Sequence, residues 1–485
     1  MSRRIVKSEK LVVLHSITYR NMALSDDFLK QLHEIMPDEA NSLADAIANT
    51  SPSVSIRVNK SKGAKADAHA RRVPWCEDGF YLDERPQFTF DTDFQSGRYY
   101  VQDASSMFIG YAISKLVKEP VRYLDLCAAP GGKTTSAIDA LPQGSLVVAN
   151  EIVPLRARIL KENVVKWGSP YTVVTHNRPA DFARLTHFFD VIATDVPCSG
   201  EGMMRKDDEA VEQWTPQLVE ECAARQRNIL ADIWECLRPG GLLIYSTCTY
   251  NLEENERMVR HICQDLGGES IDLGVDASWR IHPALEGGEH CYRFMPHRTE
   301  GEGLFLSVIR KAGNAPRAEA AIKPRKSGKA AKVAPVPAEA TRWLQQSEQY
   351  DYSVADDAVI AIPSCYAAET ALLASTLKVL HRGVELAALK GKNCVPAQSL
   401  ALCSSLRCDA FARADVDYAT AVAYLRGESV VLADAPRGYV LLYHGDSPIG
   451  FVNNLGNRAN NLYPKEWRIR STYVPTEKPR IVEEK

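Results

Sequence analysis

Short apolar runs alternate with amphipathic stretches along the middle of the chain, from Val121 onwards. Six of these runs are rich in β-branched residues and have the length of buried strands: VRYLDL, LVVANE, TVVTHN, FDVIATDVP, GLLIYSTCT and GLFLSVIRK. Strands that alternate with helices favour a parallel, doubly wound sheet. The pattern therefore predicts an α/β fold for this part of the chain.

Two helices are well marked after the fourth and fifth runs. The first has Thr215 as its N-cap, carries apolar residues on one face as far as Leu237, and is predicted to end at the Pro-Gly-Gly sequence 239–241. The second is predicted to begin at Asn251, because Glu254 three residues later resembles a capping box.

The flanking segments have different patterns. Residues 1–21 are basic and predicted to be a loose extension, and Ser25 then caps a helix in MALSDDFLKQLHEIMP. Residues 313–338 carry six Lys and Arg against one acid, Glu319, and are predicted to be a linker. A solvated spacer and an RNA-contacting arm are both open for this linker. A second folded region follows, with the strand-like pieces YVLLYH and PIGFVNN.

Composition narrows the class of protein. The chain has 485 residues, of which 45% are hydrophobic and 25% charged, with a formal net charge of −3, so a multidomain globular protein is expected and any polyanion site must be local. The apolar piece LVVL near the start is too short for a signal sequence or a membrane span, which predicts a cytoplasmic protein without membrane contact. The twelve cysteines are scattered without zinc spacing, so no metal site is predicted.

The sequence DLCAAPGGKTT follows the first strand and opens a helix, where an open α/β sheet binds its ligand. It is not a nucleotide phosphate loop, because Cys127 stands where that motif needs glycine and Pro130 lacks an amide hydrogen. A GxGxxG dinucleotide motif is also missing, although Glu151 at the end of the second strand suits a ribose with free hydroxyls. A tight turn without ligand is the alternative.

Five segments together carry a family resemblance: SIRVN, YVQDASSM, DLCAAPGGKT, DVPCSGEGMMRKD and YSTCTYNLEENE. Over residues 51–310 the chain resembles the RNA (cytosine-5)-methyltransferases of the Sun family. Its tail NRANNLYPKEWRIR is similar to the bacterial 16S ribosomal RNA methyltransferase F group. The resemblance implies a Rossmann-like methyltransferase sheet, an N-terminal α+β RNA-binding extension and a C-terminal α+β, PUA-like RNA-binding region.

On this basis we divide the chain into five segments. They are a loose extension at 1–21, an N-terminal RNA-binding domain at 22–100, the catalytic domain at 101–312, the basic linker at 313–338 and the C-terminal PUA-like region at 339–475.

The resemblance also implies the cofactor, S-adenosylmethionine, and the residues that bind it. The predicted cofactor loop consists of Cys127, Ala128, Ala129, Pro130, Gly131, Gly132 and Lys133. Glu151 is expected to hold the ribose, and Asp195 to lie beside both the methyl donor and the target base. Where relatives place an acid near the adenine, this chain has Arg178, with Asp181 three residues later. The Arg178 backbone amide or the Asp181 carboxylate is expected to make that contact.

Cytosine chemistry explains the need for thiols. Carbon 5 of cytosine is a poor nucleophile until a thiolate adds to carbon 6. Cys198 and Cys248 follow the fourth and fifth strands, and the carboxyl ends of these strands meet at one crevice, so spacing alone does not decide which thiol attacks. The resemblance implies that Cys248 attacks, that Cys198 helps release the product, as the base at carbon 5 in one version, and that Asp195 acts at the N3/N4 edge.

The sequence thus predicts transfer of a methyl group from S-adenosylmethionine to carbon 5 of a cytosine in RNA. The expected substrate is 16S rRNA or the small ribosomal subunit, and the expected state is a monomer. A tRNA methyltransferase and a catalytically silent RNA-binding assembly factor are the alternatives. Further hypotheses are that Lys133 orients the base or the cofactor carboxylate, that Arg205 and Lys206 grip an RNA phosphate, and that Tyr250 stacks on the base.

Overall fold

The first folded part of the chain pairs two helices with a small sheet. The computed structural model describes residues 23–67, 69–319, 335–391, 393–471 and 473–483, so the predicted extension and most of the linker lie outside the described residues. The Ser25 cap is confirmed, because its hydroxyl accepts a hydrogen bond from Phe28 N at 3.2 Å. The elements here are α1 (Asp26–Ile35), α2 (Ala40–Asn49), β1 (Val54–Val58), β2 (Arg72–Val73), β3 (Cys76–Leu82), α3 (Thr92–Gln95) and β4 (Tyr99–Val101). The sheet order is β2-β3-β1-β4.

The middle of the chain contains all six predicted strands. Its elements are α4 (Phe108–Leu116), β5 (Arg122–Asp125), α5 (Gly132–Ala140), β6 (Leu146–Asn150), α6 (Pro154–Trp167), β7 (Thr172–Thr175), β8 (Phe189–Asp195), α7 (Asp208–Gln213), α8 (Pro216–Ile233), β9 (Leu237–Thr247), α9 (Glu256–Gln264), β10 (Gly268–Ser270), β11 (Tyr292–Phe294) and β12 (Leu304–Lys311). Apolar residues of both sheet faces are buried, which is why these strands read as continuous apolar runs.

The last part of the chain holds two four-stranded sheets, and the predicted strands YVLLYH and PIGFVNN are confirmed as two of their members. The elements are β13 (Tyr350–Ala355), β14 (Ala358–Pro363), α10 (Ala367–Thr376), β15 (Val379–Arg382), β16 (Val384–Lys390), β17 (Asn393–Pro396), α11 (Gln398–Leu402), β18 (Ala412–Asp415), α12 (Tyr418–Leu425), β19 (Gly438–His444), β20 (Ser447–Asn454) and β21 (Ala459–Asn461). The sheet orders are β13-β14-β16-β17 and β18-β19-β20-β21.

The central sheet has the order β10-β12-β9-β8-β5-β6-β7-β15, with β11 paired to β12. The five strands β5 to β9 are mutually parallel, as predicted. The prediction of a wholly parallel sheet was wrong for the sixth run, because β12 pairs antiparallel with β9 and an antiparallel neighbour needs no crossover helix. The edge strand β15 comes from the segment after the linker and pairs antiparallel with β7. The five-segment division remains a prediction.

Two helix boundaries differ from the prediction. Helix α8 ends at Ile233, and Leu237 already begins β9, which contains the predicted stop at 239–241. The pairing of β9 with β8 shifts register there, and such an irregularity tolerates Pro and Gly inside a strand. Helix α9 begins at Glu256 instead of Asn251, since the Asn251 side chain caps a separate turn by accepting a bond from Glu254 N at 2.9 Å.

The strand order places a crevice at the carboxyl ends of β5 and β8, where connections leave the sheet in opposite directions. The N-terminal sheet is joined to this crevice by Arg57 of β1, a buried residue. Its guanidinium donates to Thr135 Oγ1 of α5 at 2.6 Å and to Gln102 Oε1 at 2.9 Å. The sequence SIRVN therefore acts as an attachment between the small sheet and the helix that follows the predicted cofactor loop.

In the part of the chain that the structure describes, no helix has the length and apolarity needed to span a membrane.

A buried ion pair between α9 and β11 provides a test of the packing. Arg293 and Glu256 are 1% and 0% exposed, and Arg293 Nε donates to Glu256 Oε1 at 2.6 Å. We expect Arg293→Met to lower the free energy of unfolding by about 3–5 kcal/mol, because it leaves the Glu256 charge buried and unpaired. The measurement is urea unfolding followed by tryptophan fluorescence.

The control is Lys30→Met, which removes an exposed ion pair with Glu34 and should change the free energy of unfolding by about 0–1 kcal/mol. Adding Glu256→Leu to Arg293→Met should recover much of the loss, since the pair is then replaced by apolar groups. Equal effects of Arg293→Met and Lys30→Met would contradict the assignment.

Candidate active site

The loop between β5 and α5 is fixed on both sides by backbone hydrogen bonds. Leu126 N donates to Ala193 O of β8 at 3.0 Å, and Ala128 N donates to Asn150 O of β6 at 2.9 Å. Gly131 has a φ of 116°, which favours glycine, and α5 begins at the next residue. The amide groups of the first turn of α5 thus face the crevice, an arrangement that suits an anionic group.

A pocket of about 200 Å³ lies against this loop. Seven of the predicted site residues line it: Cys127, Ala128, Ala129, Pro130, Gly132, Lys133 and Asp195. The opposite wall comes from the segment YVQDASSM and includes Tyr100, Gln102, Asp103 and Ser106. In the sequence this segment carries only a family resemblance, so these four residues were not predicted. Tyr100 belongs to β4 and the other three follow it, so the N-terminal sheet completes the pocket.

Glu151 lies just beyond β6, next to the loop. It is buried, its Oε1 accepts a hydrogen bond from Val153 N at 2.8 Å, and its Oε2 is 3.7 Å from Arg156 Nη1. Arg156 also donates to Ala129 O at 2.8 Å, which links the loop to Glu151. Arg156 was not predicted either, because it lies inside α6 among other charged residues.

Arg178 does not line the pocket and its side chain is exposed. Its backbone N–H donates to Asp181 Oδ2 at 2.8 Å. The two groups considered as alternatives for the adenine contact are therefore bonded to each other.

Asp195, the last residue of β8, is held at both carboxylate oxygens. Lys133 Nζ lies 2.9 Å from its Oδ2, and the Ser246 hydroxyl donates to its Oδ1 at 2.9 Å. Burial acts to lower the pKa of the Lys133 ammonium, but Asp195, and to a smaller extent Cys248, raise it on balance. Lys133 is therefore a persistent cation beside Asp195 and the thiols.

Cys198 and Cys248 meet beyond the ends of β8 and β9, with a distance of 3.3 Å between their sulfur atoms. The hydrogen bond to Cys248, together with burial, raises the pKa of the Cys198 thiol well above its usual range. Because the two sulfurs are in contact, the proton that remains when the pair carries one negative charge belongs to the pair and not to one thiol. By contrast, burial raises the pKa of Cys127 to about 12, which makes it an inert wall of the pocket.

Two buried acids lie beside the thiol pair. Glu254 accepts from Ser199 N at 3.1 Å and from Gln226 Nε2 at 2.7 Å, and burial raises its pKa. Glu201 accepts from several donors of the Cys248 loop. Both acids stand inside the motifs PCSGEG and NLEEN, so the signal was present in the sequence, but Glu254 was interpreted as a helix cap and Glu201 was not considered.

Two of the further hypotheses do not fit the structure. Tyr250 is 2% exposed and packs in an apolar cluster with Phe28 and Met295, so its ring is not available to stack on a base. Arg205 donates to the backbone carbonyls of Gly301 at 3.0 Å and of Ser51, which commits its guanidinium to the fold instead of an RNA phosphate. Lys206 lies 3.4 Å from the buried carboxylate of Glu302.

Comparison with known proteins finds three matching family models. They are described as 16S rRNA methyltransferase RsmB/F at residues 115–310, N-terminal domain of 16S rRNA methyltransferase RsmF at residues 24–104, and methyltransferase RsmF PUA domain at residues 411–469. The first of these matches, at residues 115–310, spans β5 to β12 and therefore contains the pocket loop and the thiol pair.

Two curated relatives are similar over most of their length. Ribosomal RNA small subunit methyltransferase F of Escherichia fergusonii is 31% identical over 480 residues, which covers 91% of this chain and 96% of the relative. The protein of the same name from Citrobacter koseri is 31% identical over 472 residues, with the same coverage.

Among solved structures, PH0851 has a TM-score of 0.52 at 23% identity and covers 58% of this chain and 65% of its own. NSun6 from Pyrococcus horikoshii, solved with SFG, has a TM-score of 0.50 at 20% identity and covers 60% and 99%. These likenesses support the Rossmann-like methyltransferase fold.

Proposed function

The chain belongs to the 16S rRNA methyltransferase RsmB/F family, and from this premise we propose that it methylates carbon 5 of a cytosine in 16S rRNA. Family membership makes it an S-adenosylmethionine-dependent RNA methyltransferase. The observation that carries the finer proposal is the pair of thiols, Cys198 and Cys248, 3.3 Å apart and next to the Lys133–Asp195 ion pair. The N-terminal sheet and the PUA-type C-terminal part would hold the RNA.

The residues present fit the cofactor. S-adenosylmethionine supplies a methyl group on a sulfonium centre when it is bound. The loop from Cys127 to Lys133 and the first turn of α5 offer amide donors and a cation for its carboxylate, and Glu151 offers an acceptor for ribose hydroxyls. Asp195 borders both the pocket and the thiol side of the crevice, which suits a residue that meets both substrates.

The first chemical step is addition of the Cys248 thiolate to carbon 6 of the cytosine. A sulfur–carbon bond forms, and the electron pair of the C5=C6 bond moves toward carbon 5, which becomes nucleophilic. In this proposal Cys198 keeps its proton at this stage and lies 3.3 Å from the attacking sulfur. Asp195, held between Lys133 and Ser246, faces the N3/N4 edge, where a shared proton makes carbon 6 more electrophilic.

Product release reverses the addition. After carbon 5 has taken the methyl group, a base removes the carbon 5 proton, the C5=C6 bond forms again and the bond to Cys248 breaks. Cys198 promotes this step, either as the base that takes the carbon 5 proton or as the proton donor that stabilises the departing Cys248 thiolate across 3.3 Å, in which case a water molecule takes the carbon 5 proton.

The substrate is tested by methyl transfer in vitro. Purified protein is incubated with labelled S-adenosylmethionine and, separately, with unmodified 16S rRNA, small subunits that lack the modification, and tRNA. We expect label in 16S rRNA, free or in the subunit, and 5-methylcytidine after digestion to nucleosides. Label only in tRNA would identify the protein as a tRNA methyltransferase. A methylated nucleoside other than 5-methylcytidine would contradict the thiol mechanism.

Glu151 provides a test of the cofactor site. We expect Glu151→Gln to weaken binding of S-adenosylhomocysteine about 10- to 100-fold, because an ionised acceptor for hydroxyl groups is lost. Isothermal titration calorimetry measures the change. The matched control is Glu253→Gln, an exposed acid whose partner is Arg257 instead of a residue bonded to the pocket loop, and it should leave affinity unchanged. Equal affinities of Glu151→Gln and the wild type would remove Glu151 from the cofactor site.

A further inference from the structure

We propose that Glu201 is a positioning residue that sets the distance between the two thiols, an inference that rests on the proposed function because it assigns Glu201 a part in the Cys198–Cys248 chemistry. Glu201 lies three residues after Cys198 and is 0% exposed. It touches neither the pocket nor a sulfur atom. Its effect is on the loops that carry the thiols.

The pairing between β8 and β9 does not by itself fix the thiols. The register of these strands ends at Asp195 paired with Ser246, and both cysteines lie beyond that point. Each loop then turns away from its strand. The sulfur–sulfur distance therefore depends on bonds made between the two loops after the strands end.

Glu201 makes three of those bonds with one side chain. Its Oε2 accepts from Tyr250 N at 2.6 Å and from Asn251 N at 3.0 Å, and its Oε1 accepts from Asn251 Nδ2 at 2.9 Å. These donors follow Cys248 by two and three residues. The other bonds between the loops are a backbone bond from Gly202 N to Cys248 O at 2.8 Å and the bonds of Ser199 to Thr249, Asn251 and Glu254. The carboxylate thus joins the segment after Cys198 to the segment after Cys248.

The same carboxylate also accepts hydrogen bonds from two side chains outside the thiol loops. Its Oε1 accepts from Trp214 Nε1 at 3.0 Å and from Gln31 Nε2 at 3.0 Å. Gln31 belongs to α1, so the N-terminal helix contributes to the position of the catalytic loops. A carboxylate suits this place because both its oxygens accept hydrogen bonds and present no hydrogen toward the five N–H donors. Glutamine has the same shape, but its amide would direct N–H groups at other N–H groups.

The test uses Glu201→Gln and a matched control, Asp190→Asn. Asp190 is 3% exposed, lies at the opposite end of β8, and accepts from Arg122 N at 2.8 Å and from Arg238 Nε at 2.7 Å. Both variants replace a buried, multiply bonded carboxylate with its amide. Of these two acids, only Glu201 is bonded to the loops that carry the thiols. A loss of stability alone would therefore appear in both variants, whereas a change in the distance between the thiols would appear only in Glu201→Gln.

The readout needs no RNA. Full-length protein is equilibrated in glutathione redox buffers, and the Cys198–Cys248 disulfide is quantified by peptide mapping. The disulfide fraction gives the effective concentration of one thiol relative to the other, which reports how closely the loops hold the two sulfurs. We expect Glu201→Gln to lower it about tenfold or more, because charge-assisted hydrogen bonds are lost, and Asp190→Asn to leave it unchanged. Gln31→Leu, which removes one outer donor, should lower it by a smaller factor without disturbing the fold.

Methyl transfer is measured on the same proteins. The proposal expects Glu201→Gln to reduce kcat with an unchanged KM for S-adenosylmethionine. An unchanged effective concentration in folded Glu201→Gln and Gln31→Leu would overturn it, and so would equal losses in Glu201→Gln and Asp190→Asn. A wild-type protein that methylates no RNA, together with the expected disulfide result, would show that the proposed function fails while the positioning of the thiols stands.

Discussion

Replacing Cys248 with serine is expected to abolish methyl transfer to RNA, with a loss of about 10⁴-fold or more. The serine hydroxyl has nearly the size of the thiol but is not ionised near neutral pH, so the addition to carbon 6 does not occur. The residue lies beyond β9, and its sulfur is 3.3 Å from that of Cys198. The measurement is single-turnover methylation of 16S rRNA, with binding of S-adenosylhomocysteine measured in parallel and expected to be unchanged.

The matched control is Cys127→Ser, which changes a thiol of the pocket loop that burial keeps protonated. It should retain methyl transfer through an intact Cys248. If Cys248→Ser still methylates, or forms a covalent complex with RNA while Cys127→Ser behaves like the wild type, then Cys248 is not the nucleophile and the roles of the two thiols are reversed.

Replacing Cys198 with alanine is expected to leave a stalled covalent complex between protein and RNA. Addition through Cys248 and methyl transfer still occur, but elimination loses its helper, and turnover should fall about 100-fold or more. The complex is visible as a shifted band on a denaturing gel after incubation with 16S rRNA and S-adenosylmethionine. Nuclease digestion and mass spectrometry then identify the nucleotide attached at Cys248.

The double variant Cys198→Ala, Cys248→Ser separates the two roles. It should give no covalent complex, because the attacking sulfur is missing. Normal turnover by Cys198→Ala would show that the raised pKa and the contact between the sulfurs have no part in release. A covalent complex formed by the double variant would mean that the RNA is bonded to a residue other than Cys198 or Cys248.

The strands of the central sheet could be predicted because each is a run of apolar, β-branched residues whose side chains are buried on both faces of the sheet. Their direction could not be predicted in every case. Whether β12 enters parallel or antiparallel depends on the path of the chain through β10 and β11, and no residue of GLFLSVIRK encodes that path. Strand β15 is a short edge strand that pairs with β7 across about 200 residues of chain, so its local sequence carries no sign of its partner.

The start of α9 was mispredicted because the side chains of the expected capping box make other hydrogen bonds. Asn251 and Glu254 have the spacing of a capping box, but their side chains bond to Glu201, Ser199 and Gln226 in the crevice. The turn they stabilise therefore precedes α9 instead of starting it. Local capping preference alone could not reveal this use, because the competing partners are distant in sequence.

The site itself was only partly visible in the sequence. The motifs gave the pocket loop, Asp195 and both thiols, since these lie at strand ends that a parallel sheet brings together. The wall formed by Tyr100 and Gln102 comes from a different sheet, whose docking depends on the buried Arg57. Glu201 stands inside the motif PCSGEG, but its spacing from Cys198 does not show which groups it contacts, so its role became apparent only from its hydrogen bonds.

The central claim is that the protein makes 5-methylcytosine in 16S rRNA, and bisulfite sequencing tests it most directly. Ribosomal RNA and tRNA are sequenced from the parent strain, a deletion strain, and deletion strains that carry the wild-type gene or its Cys248→Ser variant. One cytosine of 16S rRNA should lose its protection in the deletion strain and regain it with the wild type but not with the variant. Unchanged protection of 16S rRNA in the deletion strain would show that this protein does not methylate it.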